Sequence, residues 1–141
     1  MNAVKRLQAL YDLAADHDIG VYYYDIGDGK AAAVTVDDYK LVALNPHRIS
    51  SVEDETECLC HELGHLETGT LHPPGADEAT VLRSEYRAAC WVVERLIPCD
   101  ELLEAIHDYG CTEVWQLAEY FGVSTDLILD AVKIYRNRGI L

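Results

Sequence analysis

The residues of this chain best spaced for chemistry are His61, Glu62 and His65, within the run His61-Glu62-Leu63-Gly64-His65. On an α-helix, positions four apart lie about 40° apart around the axis and about 6 Å apart along it, so both imidazoles can face one ion. Two neutral imidazoles suit Zn²⁺. With a coordination position left for water, the adjacent carboxylate of Glu62 can accept that water's proton, and the chemistry implied is hydrolysis. Zinc sites of this kind use three protein ligands, and Glu85, in a segment that reads as helical from Thr80 to Ile97, is the best candidate for the third. It falls among Val81, Leu82, Ala88, Ala89, Val92 and Leu96 on one apolar stripe, where an ionised carboxylate needs a compensating partner. His72, Asp77 and Glu78 are rival third ligands from the connecting loop and the start of that segment. Cys60 precedes His61, but helix neighbours point about 100° apart, so Cys60 and Cys58 read as packing residues. The motif offers a base and a Lewis acid but no second electrophile. Tyr86, Tyr39 and His72 are the candidates for steadying a tetrahedral oxyanion.

The elements that must position these groups follow from periodicity and punctuation. Val4, Leu7, Leu10, Tyr11 and Ala14 have helical spacing over Asn2 to Asp16. Val21 to Tyr24, Ala31 to Val36 and Leu41 to Leu44 read as strands of a small antiparallel sheet, separated by turns at Gly27-Asp28-Gly29 and Asp37-Asp38-Tyr39. A sheet edge beside the motif helix would suit an extended peptide bound as an added strand. Ser50-Ser51-Val52-Glu53 reads as a capping box that starts the motif helix, which runs from about Ser51 to Glu67 and stops at Gly69. Beyond Pro98, helices are expected over Asp100 to Asp108, from a Thr112 cap to Phe121, and from a Ser124 cap to about Asn137. The last two, joined at Gly122, form a helix-turn-helix pattern. The class is α+β. Residues 1–98 are expected to form the hydrolase core, and 99–141 a helical, helix-turn-helix-like extension packed on the same domain.

Composition narrows the function classes. A chain of 141 residues, 50% hydrophobic, is about one domain with a real core. No apolar run approaches a membrane span and the N-terminal stretch lacks the apolar segment of a secretory signal, so a cytoplasmic protein with no membrane partner is expected. Five cysteines are an odd number and read as reduced thiols. A net charge of −14 repels phosphate backbones and favours a basic protein partner. Residues 99–141 carry eight acidic against three basic side chains, so the helix-turn-helix pattern reads as packing or protein docking, and no direct nucleic acid binding is expected.

The run CHELGHLETG (Cys60 to Gly69), then Glu85-Tyr86-Arg87-Ala88-Ala89-Cys90-Trp91-Val92 and Leu96-Ile97-Pro98, resembles the ImmA/IrrE family of metallo-endopeptidases. Leu41-Val42-Ala43-Leu44-Asn45 matches the family's apolar strand ending in Asn, and Leu117-Ala118-Glu119-Tyr120-Phe121-Gly122-Val123-Ser124 its C-terminal pattern. Trp91 stands for the usual Phe, Val92 for the usual Ala, and Ala89 where the family often has Asn or Asp. The resemblance implies a zincin-like fold and a gluzincin-like zinc endopeptidase, with Zn²⁺ on His61, His65 and Glu85 and Glu62 as catalytic base. It also implies a phage or mobile-element setting in which the protein substrate is a DNA-binding helix-turn-helix repressor. The competing reading is a metal-containing regulatory or protein-binding module without catalysis.

Overall fold

The computed structural model describes residues 3–141; Asn2, where the first helix is expected to begin, lies outside the described residues. The order is α1 (Ala3–Asp16), β1 (Ile19–Tyr23), β2 (Ala31–Val36), β3 (Tyr39–Leu44), α2 (Val52–Thr68), α3 (Glu78–Leu96), α4 (Cys99–His107), α5 (Val114–Phe121) and α6 (Thr125–Asn137), an α+β fold. The chain divides into two compact units, Met1–Ala88 and Ala89–Leu141. Among the described residues no helix is long and apolar enough to cross a membrane.

In the first unit α2 packs on β2, β3 and α1. Its inward face carries Thr56, Leu59, Cys60, Leu63 and Leu66, the three-and-four spacing of an amphipathic helix, and it meets Leu10, Ala14, Val42 and Leu44 in the core. Burying a side chain such as Leu59 or Leu63 contributes about 1.5–3 kcal/mol, so this face fixes how α2 is rotated and therefore where His61 and His65 point. Ser51 is the N-cap and accepts from the Asp54 N–H at 3.0 Å, while the Asp54 carboxylate accepts from the Ser50 N–H at 3.0 Å. Burial opposes the charge on Asp54, but the Ser50 backbone bond and the Lys30 ammonium outweigh it and hold the carboxyl below its usual range. Gly69, at φ 64°, ends the helix in the left-handed conformation that a glycine adopts without strain.

The sheet is mixed, which corrects the antiparallel expectation. Its order is β1-β3-β2, with β2 antiparallel to β3 and β1 parallel to it. The two left-handed residues Asp37 (φ 47°) and Asp38 (φ 69°) make a tight hairpin between β2 and β3, so Tyr39 belongs to β3 and not to the turn. Residues 24–30, by contrast, are long enough to span two strand spacings of about 4.8 Å, which leaves room for β3 to insert beside β1. That long link is tied down by Asn45. Its buried amide donates to the carbonyls of Gly27 (3.1 Å) and Gly29 (3.0 Å) and its side-chain oxygen accepts from the His47 N–H (3.0 Å).

In the second unit α4, α5 and α6 bury Leu102, Leu117, Phe121, Ile128 and Ile134. Glu113 caps α5 in a reciprocal capping box with Gln116, in place of the expected Thr112, whose own N–H also donates to Gln116. Gly122 (φ 65°) turns the chain and Ser124 caps α6. The buried Tyr135 hydroxyl donates to the Ile97 carbonyl at 2.7 Å, and Arg138 pairs with Glu94 at 2.7 Å.

Candidate metal centre

One turn of α2 carries His61 and His65, and α3 carries Glu85. His61 Nε2 lies 3.2 Å from His65 Nε2, and the Glu85 carboxylate turns one oxygen to each ring, 3.1 Å from His61 and 3.2 Å from His65. These three residues form a group whose donor atoms all lie within 4.8 Å of one another. Ligand nitrogens at ~2.0–2.1 Å from a tetrahedral metal sit about 3.3 Å apart, and the two imidazole nitrogens stand at that spacing with one carboxylate oxygen beside each. A proton on one ring nitrogen serves a single contact; a cation between the imidazoles and the carboxylate faces all three residues. The residues present therefore fit a metal ion.

The tautomer of His65 also fits. Its ring is buried, and Nδ1 lies 3.3 Å from the Thr70 carbonyl and 3.2 Å from the Thr70 hydroxyl. A carbonyl only accepts, so Nδ1 carries the hydrogen and Nε2 presents its lone pair to His61 and Glu85. The hydroxyls agree: Thr68 donates to the Gly64 carbonyl at 2.7 Å, which leaves Thr70 to donate to Thr68 at 2.7 Å and to accept from His65. Thr70 reaches back because Gly69 reverses the chain at the end of α2, and the Thr70 N–H closes the turn on the His65 carbonyl at 2.9 Å. Outer-shell groups of this kind orient metal-bound imidazoles. Thr70 is not among the candidate residues read from the sequence. The pattern Thr68-Gly69-Thr70 was the available signal.

Glu62 lines the same cavity, of about 230 Å³, with Ala33, His61, His65, Leu71, His72 and Glu85. Burial, and then the negative charge of Glu85, push its carboxyl up to about 7. A cation on the triangle acts in the opposite sense. Burial likewise lowers the basicity of His61, with Glu85 opposing and His65 reinforcing the shift. Glu85 itself sits at the rim, its side chain 44% exposed, and not within the core-facing stripe read from the sequence.

Of the rival ligands, His72 comes to 3.8 Å from Glu85 and lines the cavity. Asp77 instead accepts from the Thr80 N–H at 2.7 Å at the head of α3, and Glu78 is exposed in the first turn. Cys60 is fully buried and stands outside the His-His-Glu group. Among the described residues no cysteine is disulfide-bonded, and burial with the nearby Asp54 charge pushes the Cys58 thiol up to about 11. Of the three residues considered for the oxyanion, the structure brings His72 to the cavity. Tyr39 is 72% exposed and pairs with Val36, whose side chain lies on the opposite sheet face from Ala33; Tyr86 is exposed one residue beyond Glu85.

A family model described as the IrrE N-terminal-like domain, peptidase M78, matches residues 14–133. No curated protein and no solved structure gives a significant match.

Proposed function

We propose a function from one premise: the chain belongs to the peptidase M78 family, that of the IrrE N-terminal-like domain. Membership gives a metallopeptidase-type protein acting on a protein substrate; the finer reading is a zinc-dependent endopeptidase. The observation that supports it is the pair of imidazole nitrogens 3.2 Å apart, each within 3.1–3.2 Å of one Glu85 carboxylate oxygen, with Glu62 in the same cavity.

His61, His65 and Glu85 would hold the zinc, and zinc bound there supplies a Lewis acid and a water acidified toward about 7. Glu62 takes the proton of the attacking water and delivers it to the leaving amine, a role open to it because it shares the cavity without belonging to the ligand triangle. His72, at the cavity wall, donates to the developing oxyanion. β2 is an edge strand and its Ala33 lines the cavity, so its outward N–H and C=O groups can pair with an extended substrate and lay one peptide bond across Glu62. The substrate suggested by the resemblance is a DNA-binding helix-turn-helix repressor of a phage or mobile element, cut in the cytoplasm. With a net charge of −14, docking on a protein with basic surface is favoured.

The test compares wild type with Glu62→Gln for zinc content, melting temperature and cleavage of a repressor encoded beside this gene. Glu62→Gln should keep zinc and fold and lose ~10² to 10⁴ in rate. Equal rates would remove Glu62 as the base. Zinc-loaded wild type that binds the repressor and never cuts it would point to a regulatory module.

A further inference from the structure

A second cavity, of about 290 Å³, adjoins the first and shares Leu71 and His72 with it. One wall is the loop of residues 69–73; the other is the first half of α3, presenting Thr80, Arg83, Ser84 and Arg87. In a chain with 25 acidic and 11 basic residues, no acidic side chain lines this cavity. Arg83 and Arg87 lie four apart on one helix face, a like-charged spacing that is mildly destabilising on its own. Among the described residues neither pairs with a carboxylate, and Arg83 reaches only the Thr80 hydroxyl, at 3.4 Å. Ser84 is only 8% exposed, lines the cavity, and its hydroxyl makes no hydrogen bond among the described residues. The Ser84 hydroxyl and two solvent-exposed guanidiniums, neither paired with a carboxylate, open onto the same space.

We propose that this cavity is a specificity subsite that takes a carboxylate of the peptide substrate, so that the protein cuts beside an acidic residue. The inference rests on the peptidase reading for its substrate, and on Arg83, Ser84 and Arg87 for its chemistry. Guanidiniums match a carboxylate in fork geometry, and the Ser84 hydroxyl supplies a further donor. A water takes ~30 Å³ of liquid, so the cavity admits a Glu side chain together with several retained waters. The carboxylate therefore stays partly hydrated, and the preference over the isosteric amide is about tenfold, not thousands. Because Leu71 and His72 belong to both cavities, the acid sits within two residues of the scissile bond, always on the same side.

An internally quenched peptide cut by the zinc-loaded protein is resynthesised with Glu, Gln or Lys at each position flanking the cut, and with a free or amidated C-terminus. In parallel, the Arg83 and Arg87 Nε–H signals are followed by NMR while N-acetylglutamate methylamide or N-acetylglutamine methylamide is added. The expected result is one position at which Glu exceeds Gln about tenfold in kcat/KM, carried by KM, with Lys poorer still. In the doubly charge-reversed R83E/R87E the order inverts, and only the glutamate probe shifts the two arginine signals saturably. Equal cutting of the Glu, Gln and Lys peptides with unmoved arginine signals overturns the proposal. Dependence on a free C-terminus, without dependence on internal Glu, keeps the carboxylate site but overturns the cut beside an internal acid. If no peptide is cut and the glutamate probe still shifts both arginines, the peptidase reading fails and the anion site stands.

Discussion

Replacing Thr70 with Val removes one hydroxyl that would orient His65 in the proposed metal centre and keeps the side chain's shape. The hydroxyl accepts from His65 Nδ1 at 3.2 Å, and the Thr70 carbonyl, 3.3 Å away, remains as a second acceptor. Loss of an outer-shell partner typically lowers metal affinity 10–100-fold. Both bonds are long for N–H···O and one survives, so the expected loss is about tenfold, equivalent to about 1.4 kcal/mol. Fold stability should change by less than about 1 kcal/mol, because the apolar replacement is isosteric and Thr68 keeps its bond to the Gly64 carbonyl. Competition of metal-free wild type and variant against a chromogenic zinc chelator at fixed pH reads the affinity, and urea melts of the metal-free proteins read the fold. Thr70→Ser, which keeps the hydroxyl, should bind within about twofold of wild type. Unchanged affinity in the Val variant, or equal loss in Val and Ser, would refute the relay from Thr68 through Thr70 to His65.

Two further predictions concern the scaffold. Asn45→Ala strands the carbonyls of Gly27 and Gly29 and the His47 N–H and should cost about 2–4 kcal/mol in urea melts; a loss under about 1 kcal/mol would mean that residues 24–30 settle without it. The Asp54 carboxyl is held below its usual range in the folded protein, so its contribution is present above the unfolded carboxylate pKa of ~3.9 and is lost as pH falls through the folded value. The stability difference between wild type and Asp54→Asn, followed by urea melts from pH 6 to pH 3, should therefore shrink toward the acid end; a constant or growing difference contradicts the sign.

The motif helix was readable because its constraints are local: four-residue spacing sets the imidazoles together, and Gly69 marks the stop. Glu85 stands outside the apolar stripe that its spacing suggests. Its neighbours at three- and four-residue spacing are apolar, but it lies at the edge of the face that buries Ser84 and Ala88, so it needs no partner for burial's sake. The parallel pairing of β1 with β3 could not be read, since strand adjacency is settled by packing on α2 and by the reach of the linking loop, neither of which has a period. The same holds for Tyr39. Its sheet face depends on the β2–β3 register, in which Val42 opposite Ala33 and Tyr39 opposite Val36 fall on opposite sides. Arg83 and Arg87 are visible at helical spacing, but the wall they face, residues 69–73, is placed only by the turn at Gly69.

Anomalous scattering at the zinc edge from crystals of the zinc-loaded protein tests the proposed site of one zinc on His61, His65 and Glu85. A single strong peak per chain is expected, ~2.0–2.2 Å from Nε2 of both imidazoles and from the Glu85 carboxylate. A peak at Asp77, Glu78 or a cysteine, or no peak at the triangle while zinc binds stoichiometrically in solution, would contradict it.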